Sequence, residues 1–180
     1  MPVQDPFALL GLPRRFALDE DELHRRHLEL SLRHHPDRFV LRPEEERLQA
    51  EDEMARLNEA YEILRDPVRR AEALLALRGL PAAEGTDQTS DPEFLMEMME
   101  LKEQAAEAAA ERDRPRLMEL LCRINVKLDE EIAALGAAVD RLGAEDGPES
   151  TAAAAARAHL TEIAYLRSTR DLLERALIPA

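Results

Sequence analysis

An all-α protein in two parts is the architecture this sequence predicts, and three observations carry the prediction. Hydrophobic residues make up 45% of the 180-residue chain but aromatics only 3%, with no Trp, so the core must be built from Leu, Ala, Ile and Met, a palette that favours helices over sheets. Asp-Pro pairs at 5–6, 66–67 and 91–92 each precede apolar residues at helical spacing; Asp caps a helix start and Pro suits its first turn. Finally, the Pro-, Gly- and Thr-bearing stretch Leu80 to Ser90 separates four short segments from three long ones.

The elements follow in order. Asp5-Pro6 opens a short helix, Phe7 to Leu10, closed by Gly11 and Pro13. Asp19 with Glu22 three residues on reads as a capping box, starting a second helix that runs to about His34. It must end near His35, because a residue before proline clashes in the helical conformation. Pro43 and Glu44-Glu45-Glu46 begin a third helix, with acids at the positive end of its dipole, and Met54, Leu57, Tyr61 and Leu64 carry its apolar spacing. Asp66-Pro67 starts a fourth, whose Ala71, Leu74, Leu75 and Leu77 lead to Gly79.

The boundary therefore falls after residue 79, with 80–90 as linker and 91–180 as a second domain. There, helices are expected from Pro92 to about Arg112, from Pro115 to about Leu142, and from Ser150 to about Leu177, with Gly143 to Glu149 as a loop. Long helices joined by short loops suggest an antiparallel three-helix bundle. Its seam is expected on Leu117, Leu121, Ile124, Leu128, Leu135, Val139 and Leu142. The run Ala152 to Ala156 reads as ordinary helix, since Ala is the strongest helix former.

Charge and cysteine content exclude several functions. The formal charge of −14 opposes nucleic-acid binding, which leaves a basic footprint. Residues 1–78 hold 13 basic and 17 acidic side chains, a net of −4, while 79–180 hold 11 and 21, a net of −10, so the two parts should meet different partners. No window approaches the roughly 18 uncharged apolar residues of a membrane span, and no basic region precedes the first apolar stretch. A soluble, cytoplasmic protein without a targeting signal is expected. One cysteine, Cys122, excludes an intramolecular disulfide or a Cys-cluster zinc site; it reads as a small, half-buried hydrophobe.

Three groups of residues could carry chemistry. His35-Pro36-Asp37 would arise by chance in roughly 2% of shuffled chains of this composition. Beside a helix bearing Arg25, Arg26 and Arg33, it reads either as an ordinary interhelical turn or as a docking site holding an imidazole and a carboxylate at a loop tip. The histidines His24, His27, His34 and His35 invite a metal reading, but no carboxylate or Cys completes a ligand pattern, and hydrogen-bonded or part-buried imidazoles are preferred. Taking His35 and Asp37 as a catalytic base requires a nucleophile; Ser31 and Cys122 are poorly placed and there is no Gly-rich phosphate loop. No catalytic set, metal or cofactor is expected.

The third group is apolar. On the helix from Pro92, a core stripe of Phe94, Met98, Leu101 and Ala105 leaves Leu95, Met96 and Met99 on a second face. On the last helix, Leu160, Ile163, Leu166, Leu173 and Leu177 can face the bundle while Tyr165 points some 200° from Ile163, a candidate exposed aromatic. Packing in a wide core stripe is the competing reading.

These residues also carry a resemblance. The turn with its flanking helices resembles a J-domain, the module that activates DnaK-type chaperones. Asp5-Pro-Phe-Ala-Leu-Leu-Gly-Leu-Pro13, His35-Pro-Asp-Arg-Phe39, Leu57-Asn-Glu-Ala-Tyr61 with Leu64, Asp66-Pro67, Arg70-Ala-Glu-Ala-Leu-Leu-Ala-Leu-Arg-Gly79 and Phe94-Leu-Met-Glu-Met-Met-Glu-Leu-Lys-Glu103 are similar to the HscB (Jac) branch. The resemblance implies an L-shaped pair of J-domain and C-terminal bundle. It further implies a non-enzymatic co-chaperone of iron–sulfur cluster assembly that binds the scaffold IscU and stimulates ATP hydrolysis by a DnaK-type partner, HscA. It maps the chaperone contact onto His35, Pro36, Asp37, Arg26, Arg33 and Arg38, and the scaffold contact onto Leu95, Met96, Met99, Glu100, Glu103 and Tyr165. His27 and His34 stand where the family often has aromatics, so a looser J-domain core is expected. A J-protein for another client, or a His-dependent metal enzyme, is the alternative.

Overall fold

The computed structural model describes residues 5–80, 91–143 and 146–178. Within them the chain forms seven α-helices and one 3-10 turn, with no strand, and it divides into two compact units, Met1–Pro81 and Ala82–Ala180. Most of the expected linker, 81–90, lies outside the described residues.

The first unit holds α1 (Pro6–Leu10), α2 (Glu20–His34), the 3-10 turn (Pro36–Phe39), α3 (Glu44–Arg65) and α4 (Pro67–Leu77). Asp5 caps α1 by accepting from the Phe7 and Ala8 amides at 3.0 and 3.2 Å. Asp66 does the same for α4, with Val68 and Arg69 at 2.8 and 3.3 Å. Gly11 closes α1 at φ 64, a left-handed conformation that only glycine adopts without penalty. Phe7, Leu10, Leu23, Leu57, Leu64, Ala71, Leu74 and Leu75 form the core.

The capping box is only half made. Asp19 accepts from the Asp21 and Glu22 amides, but the Glu22 carboxylate turns away to Arg25 and Arg26, because charge-assisted bonds to guanidinium outcompete a backbone amide. These two hydrogen bonds, Arg25's first, hold the Glu22 carboxyl below the usual carboxylate range.

Arg70 is the buried cation of this unit, only 5% exposed. Its Nε donates to the Leu64 carbonyl at 2.7 Å and its Nη1 to the Phe16 carbonyl at 2.8 Å, while the guanidinium lies 5.6 Å from the Phe16 ring centroid. One side chain thus ties the α3 end to the loop between α1 and α2, 54 residues away in sequence. Burial lowers its pKa, though an arginine stays charged at neutral pH.

The second unit holds α5 (Pro92–Ala110), α6 (Arg114–Arg141) and α7 (Thr151–Leu177). Asp91, Asp113 and Ser150 cap them through the amides of Glu93, Arg116 and Ala153. The seam of α6 differs from expectation. Leu117, Ile124, Leu128, Leu135, Val139 and Leu142 are buried, but so are Leu120 and Ala138, whereas Leu121 is half-buried. At 100° per residue Leu120 and Ala138 both lie some 60° to one side of Leu117; packing against α5 and α7 at once widens the stripe toward them. Cys122, about 140° from Leu117, is exposed, not half-buried as expected.

On α7, Ile163, Leu166 and Leu173 are buried as expected, with Ala153, Ala156 and Thr169 beside them, but Leu160 and Leu177 are only half-covered. Side-chain ties link α6 to α7, among them Arg114 Nη1, which donates to the Leu177 carbonyl at 2.9 Å, and His159 Nδ1, which lies 2.7 Å from Glu131 Oε2. Burial, with the adjacent Glu131 carboxyl, pushes Glu162 up to about 7.

Two outcomes follow from this packing. Arg70→Met leaves two carbonyls without their donor and is expected to lower stability by about 2–4 kcal/mol in urea denaturation; Arg70→Lys restores little of it, since one ammonium replaces a two-pronged fork. Glu162 keeps its proton in the folded state through a range where the unfolded chain, with the ordinary value of 4.5, has released it. Folding stability therefore falls as pH rises from about 4.5 to about 7. Glu162→Gln flattens that segment of the urea-midpoint profile, by about 1 kcal/mol at a partly exposed site; parallel profiles contradict this.

Candidate functional site

The first candidate surface is the end of α2. His35 is at once the C-cap of α2 and the N-cap of the 3-10 turn, with φ −59 and ψ 128, outside helical geometry as the following proline requires. Its Nδ1 accepts from the Asp37 amide at 3.3 Å and lies 3.5 Å from Asp37 Oδ2. Both side chains are open to solvent, the imidazole 51% and the carboxylate 85% exposed. The turn therefore leaves both groups open to solvent while its own backbone bond fixes the imidazole.

The basic candidates are all engaged within the chain. Arg26 pairs with Glu22 at 2.8 Å and Arg33 with Glu29, each four residues back, so the stripe 22–26–29–33 alternates acid and base along one face of α2. Surface pairs of this kind contribute little and can be exchanged for a partner's acids. Arg38 sits differently: its Nη1 donates to the Leu32 carbonyl at 3.2 Å, satisfying one of the four carbonyls left open at a helix C-terminus.

The histidines beside the turn pack on α3. His27 stacks on Tyr61 at 4.3 Å between centroids and lies 2.9 Å from Asn58 Oδ1; His24 reaches the Tyr61 hydroxyl at 3.4 Å. The pairing 24–61 and 27–58 runs in opposite directions, so α2 and α3 are antiparallel. His34 lines a shallow cleft with Phe39, Glu46, Gln49, Ala50 and Glu53. Neither His27 nor His34 is in the core.

The second candidate surface is on α5. Met98, Leu101, Ala105 and Ala108 are buried. Leu95, Met99, Glu103, Met96 and Glu100 occupy an arc of about 140° on the opposite side of the helix. Met96 is 63% and Met99 71% exposed, Glu100 and Glu103 are exposed, and Leu95 is half-buried. Core packing is therefore not the role of the two methionines. Two expectations change here. Tyr165 is half-buried, not exposed, and Phe94 is half-buried rather than core; their rings meet edge to face at 6.4 Å, and Lys102 Nζ lies 5.8 Å from the tyrosine centroid. The aromatic pair packs between α5 and α7 on the side of the buried stripe rather than projecting from the methionine arc.

A cluster not foreseen from the sequence joins α6 and α7. Glu131, His159 and Glu162 place ligand atoms within 4.8 Å of one another, the one grouping of three or more potential metal ligands among the described residues. The partners lie 28 residues apart in sequence, and only the helix pairing brings them together; His159 and Glu162 at i and i+3 were the available signal.

Four helices with a His35-Pro36-Asp37 turn whose imidazole and carboxylate face solvent define the first unit as a J-domain, and residues 5–73 match the DnaJ domain model. Residues 90–174 match the HSCB C-terminal oligomerisation domain. The chain is 40% identical over 140 residues to the co-chaperone protein HscB homolog of Azoarcus sp. (strain BH72), covering 78% of this chain and 79% of that one. Chaperone HscB from Vibrio cholerae has a similar structure, with a TM-score of 0.77 at 30% identity over 96% of each chain. The human co-chaperone protein HscB gives 0.83 at 28% identity, over 100% of this chain and 85% of that one. The chain belongs to the HscB family of J-domain co-chaperones, which are regulators and not enzymes.

The exposure contrast on α5 is directly measurable. Met96→Ala and Met99→Ala are each expected to change stability by less than about 0.5 kcal/mol, and Met98→Ala, between them in sequence but buried, to lower it by about 2–4 kcal/mol; equal losses in urea denaturation would place all three in the core.

Proposed function

We propose that this chain is a cytoplasmic co-chaperone of iron–sulfur cluster biogenesis that binds an IscU-type scaffold through its second unit and passes it to a DnaK-type chaperone of the HscA class, whose ATPase its J-domain stimulates. The observation that carries this reading is the pair of exposed methionines on a helix of the HscB C-terminal domain, opposite that helix's buried stripe. Solvent-exposed thioethers next to Leu95 and a half-buried Tyr165 form an apolar patch of adaptable shape, suited to a protein partner. Glu100 and Glu103 flank the patch and select for cationic groups around the partner's contact.

In this mechanism the two units have separate tasks. Leu95, Met96, Met99 and Tyr165 hold the scaffold, each large aliphatic contributing roughly 1.5–3 kcal/mol on full burial, less the ordering cost of association. His35, Pro36 and Asp37 dock on the chaperone together with Arg26 and Arg33, whose present acid partners are released one for one. Arg38 contributes through the Leu32 carbonyl, holding the end of α2 that carries the turn. Absence of any helix long and apolar enough to cross a membrane among the described residues is compatible with a soluble setting.

Calorimetric titration with an IscU-type scaffold tests the reading. Saturable binding by the intact chain, abolished in a Leu95→Ala/Met96→Ala/Met99→Ala variant of unchanged helicity, is the expected result. No binding by the intact chain overturns the scaffold assignment and leaves a J-domain co-chaperone of another client.

A further inference from the structure

Glu131, His159 and Glu162 have no part in either docking surface, and their arrangement exceeds what a single ion pair requires. His159 Nδ1 lies 2.7 Å from Glu131 Oε2 and 3.9 Å from Glu162 Oε2. The imidazole and Glu131 side chains are 26% and 25% exposed and that of Glu162 14%, so the donors are part-sheltered yet reachable from solvent. His159 and Glu162 stand three residues apart on α7 and so share a face, while Glu131 comes from α6, which packs closely along α7. Two helices thus hold the donors in place without a loop.

Charge points the same way. Glu131 and Glu162 border a cleft whose other acidic walls are Asp91, Glu93 and Glu97, and the lysine near it, Lys127, is already paired with Glu97 at 2.6 Å. These carboxyl groups outnumber the cationic partners beside them, and a divalent cation between the three donors, displacing any carboxyl proton, neutralises two of them. One imidazole nitrogen and two carboxylate oxygens are the donor types of open zinc sites, at about 2.0–2.2 Å from the metal with a fourth position left to solvent. Ligands at that radius stand about 3.4 Å apart in a tetrahedron, between the 2.7 and 3.9 Å now separating Nδ1 from the two carboxylates. Small side-chain rotations suffice.

We propose that Glu131, His159 and Glu162 form a divalent-metal site that takes Zn2+, with His159 Nδ1 and one oxygen of each carboxylate as ligands. Bound metal clamps α6 to α7. Because Tyr165 follows Glu162 by three residues and Phe94 lines the same cleft, the clamp also steadies the Phe94–Tyr165 pair.

The test uses the full chain alone, without scaffold or chaperone, so its failure leaves the co-chaperone reading untouched. Zn2+ is titrated in competition with a chromophoric chelator. One saturable equivalent per chain is expected, weakened more than roughly tenfold in His159→Gln and in Glu131→Gln/Glu162→Gln, since even outer-shell changes at metal sites cost 10- to 100-fold. Absence of saturable binding overturns the proposal. So does unchanged affinity in both variants, which would place the ion on the α2 histidines or Cys122. A readout independent of the variants is the imidazole NMR spectrum of the intact chain. Zn2+ should shift the His159 ring signals at one equivalent and spare those of His24, His27, His34 and His35; the reverse pattern overturns the site.

Discussion

The conformation of one residue organises the first unit. His35 precedes a proline, and the clash between proline's ring and the preceding residue removes the helical option there. Helix α2 stops at His34, the backbone of His35 extends to ψ 128, and the chain turns through a 3-10 segment toward α3. What remains is to hold this turn rigid, and three contacts do so: His35 Nδ1 on the Asp37 amide, Arg38 on the Leu32 carbonyl, and the antiparallel stack of His27 on Tyr61. Arg70 secures the opposite end of the domain by bonding carbonyls of Leu64 and Phe16. Apart from the ring stack, these ties are hydrogen bonds to backbone groups that would otherwise be open.

The second unit solves a different problem. Its helices must bury apolar stripes on one another and yet keep part of that apolar surface outside. On α5 this is done by angular separation: Met98, Leu101 and Ala105 face inward, while Met96, two residues before Met98, and Met99, one residue after it, lie about 200° and 100° around the helix and face out. A polar, imidazole-bearing turn and an apolar thioether arc are chemically unlike, which fits two partners bound by two units at once. On the proposed reading neither needs a catalytic residue, because each acts by contact.

Much of the fold was legible because helix punctuation is local chemistry. The Asp-Pro starts at 5, 66 and 91 all cap as read, and α2 ends where Pro36 dictates. Error entered where a side chain had more than one use. Glu22 was a plausible capping acid until two arginines one turn on competed for it. Leu121 and Leu120 are equally apolar, and only the packing of α6 on two helices decides which is buried. Arg70 and the Glu131–His159–Glu162 group were not seen as such, since both depend on residues tens of positions apart. Of the docking candidates, the methionine arc was readable from helical phase alone, whereas the part-burial of Tyr165 follows from its edge contact with Phe94 across a helix pair.

On the proposed function, the His35 turn couples to chaperone chemistry while a separate apolar arc carries the client. Single-turnover ATP hydrolysis by a DnaK-type chaperone of the HscA class measures this most directly, using the intact chain, His35→Gln, and Met96→Ala/Met99→Ala, each with and without the IscU-type scaffold. Acceleration by the intact chain is expected, and none by His35→Gln under either condition. The methionine variant should stimulate normally alone but lose the further gain that scaffold confers. Full stimulation by folded His35→Gln would contradict it.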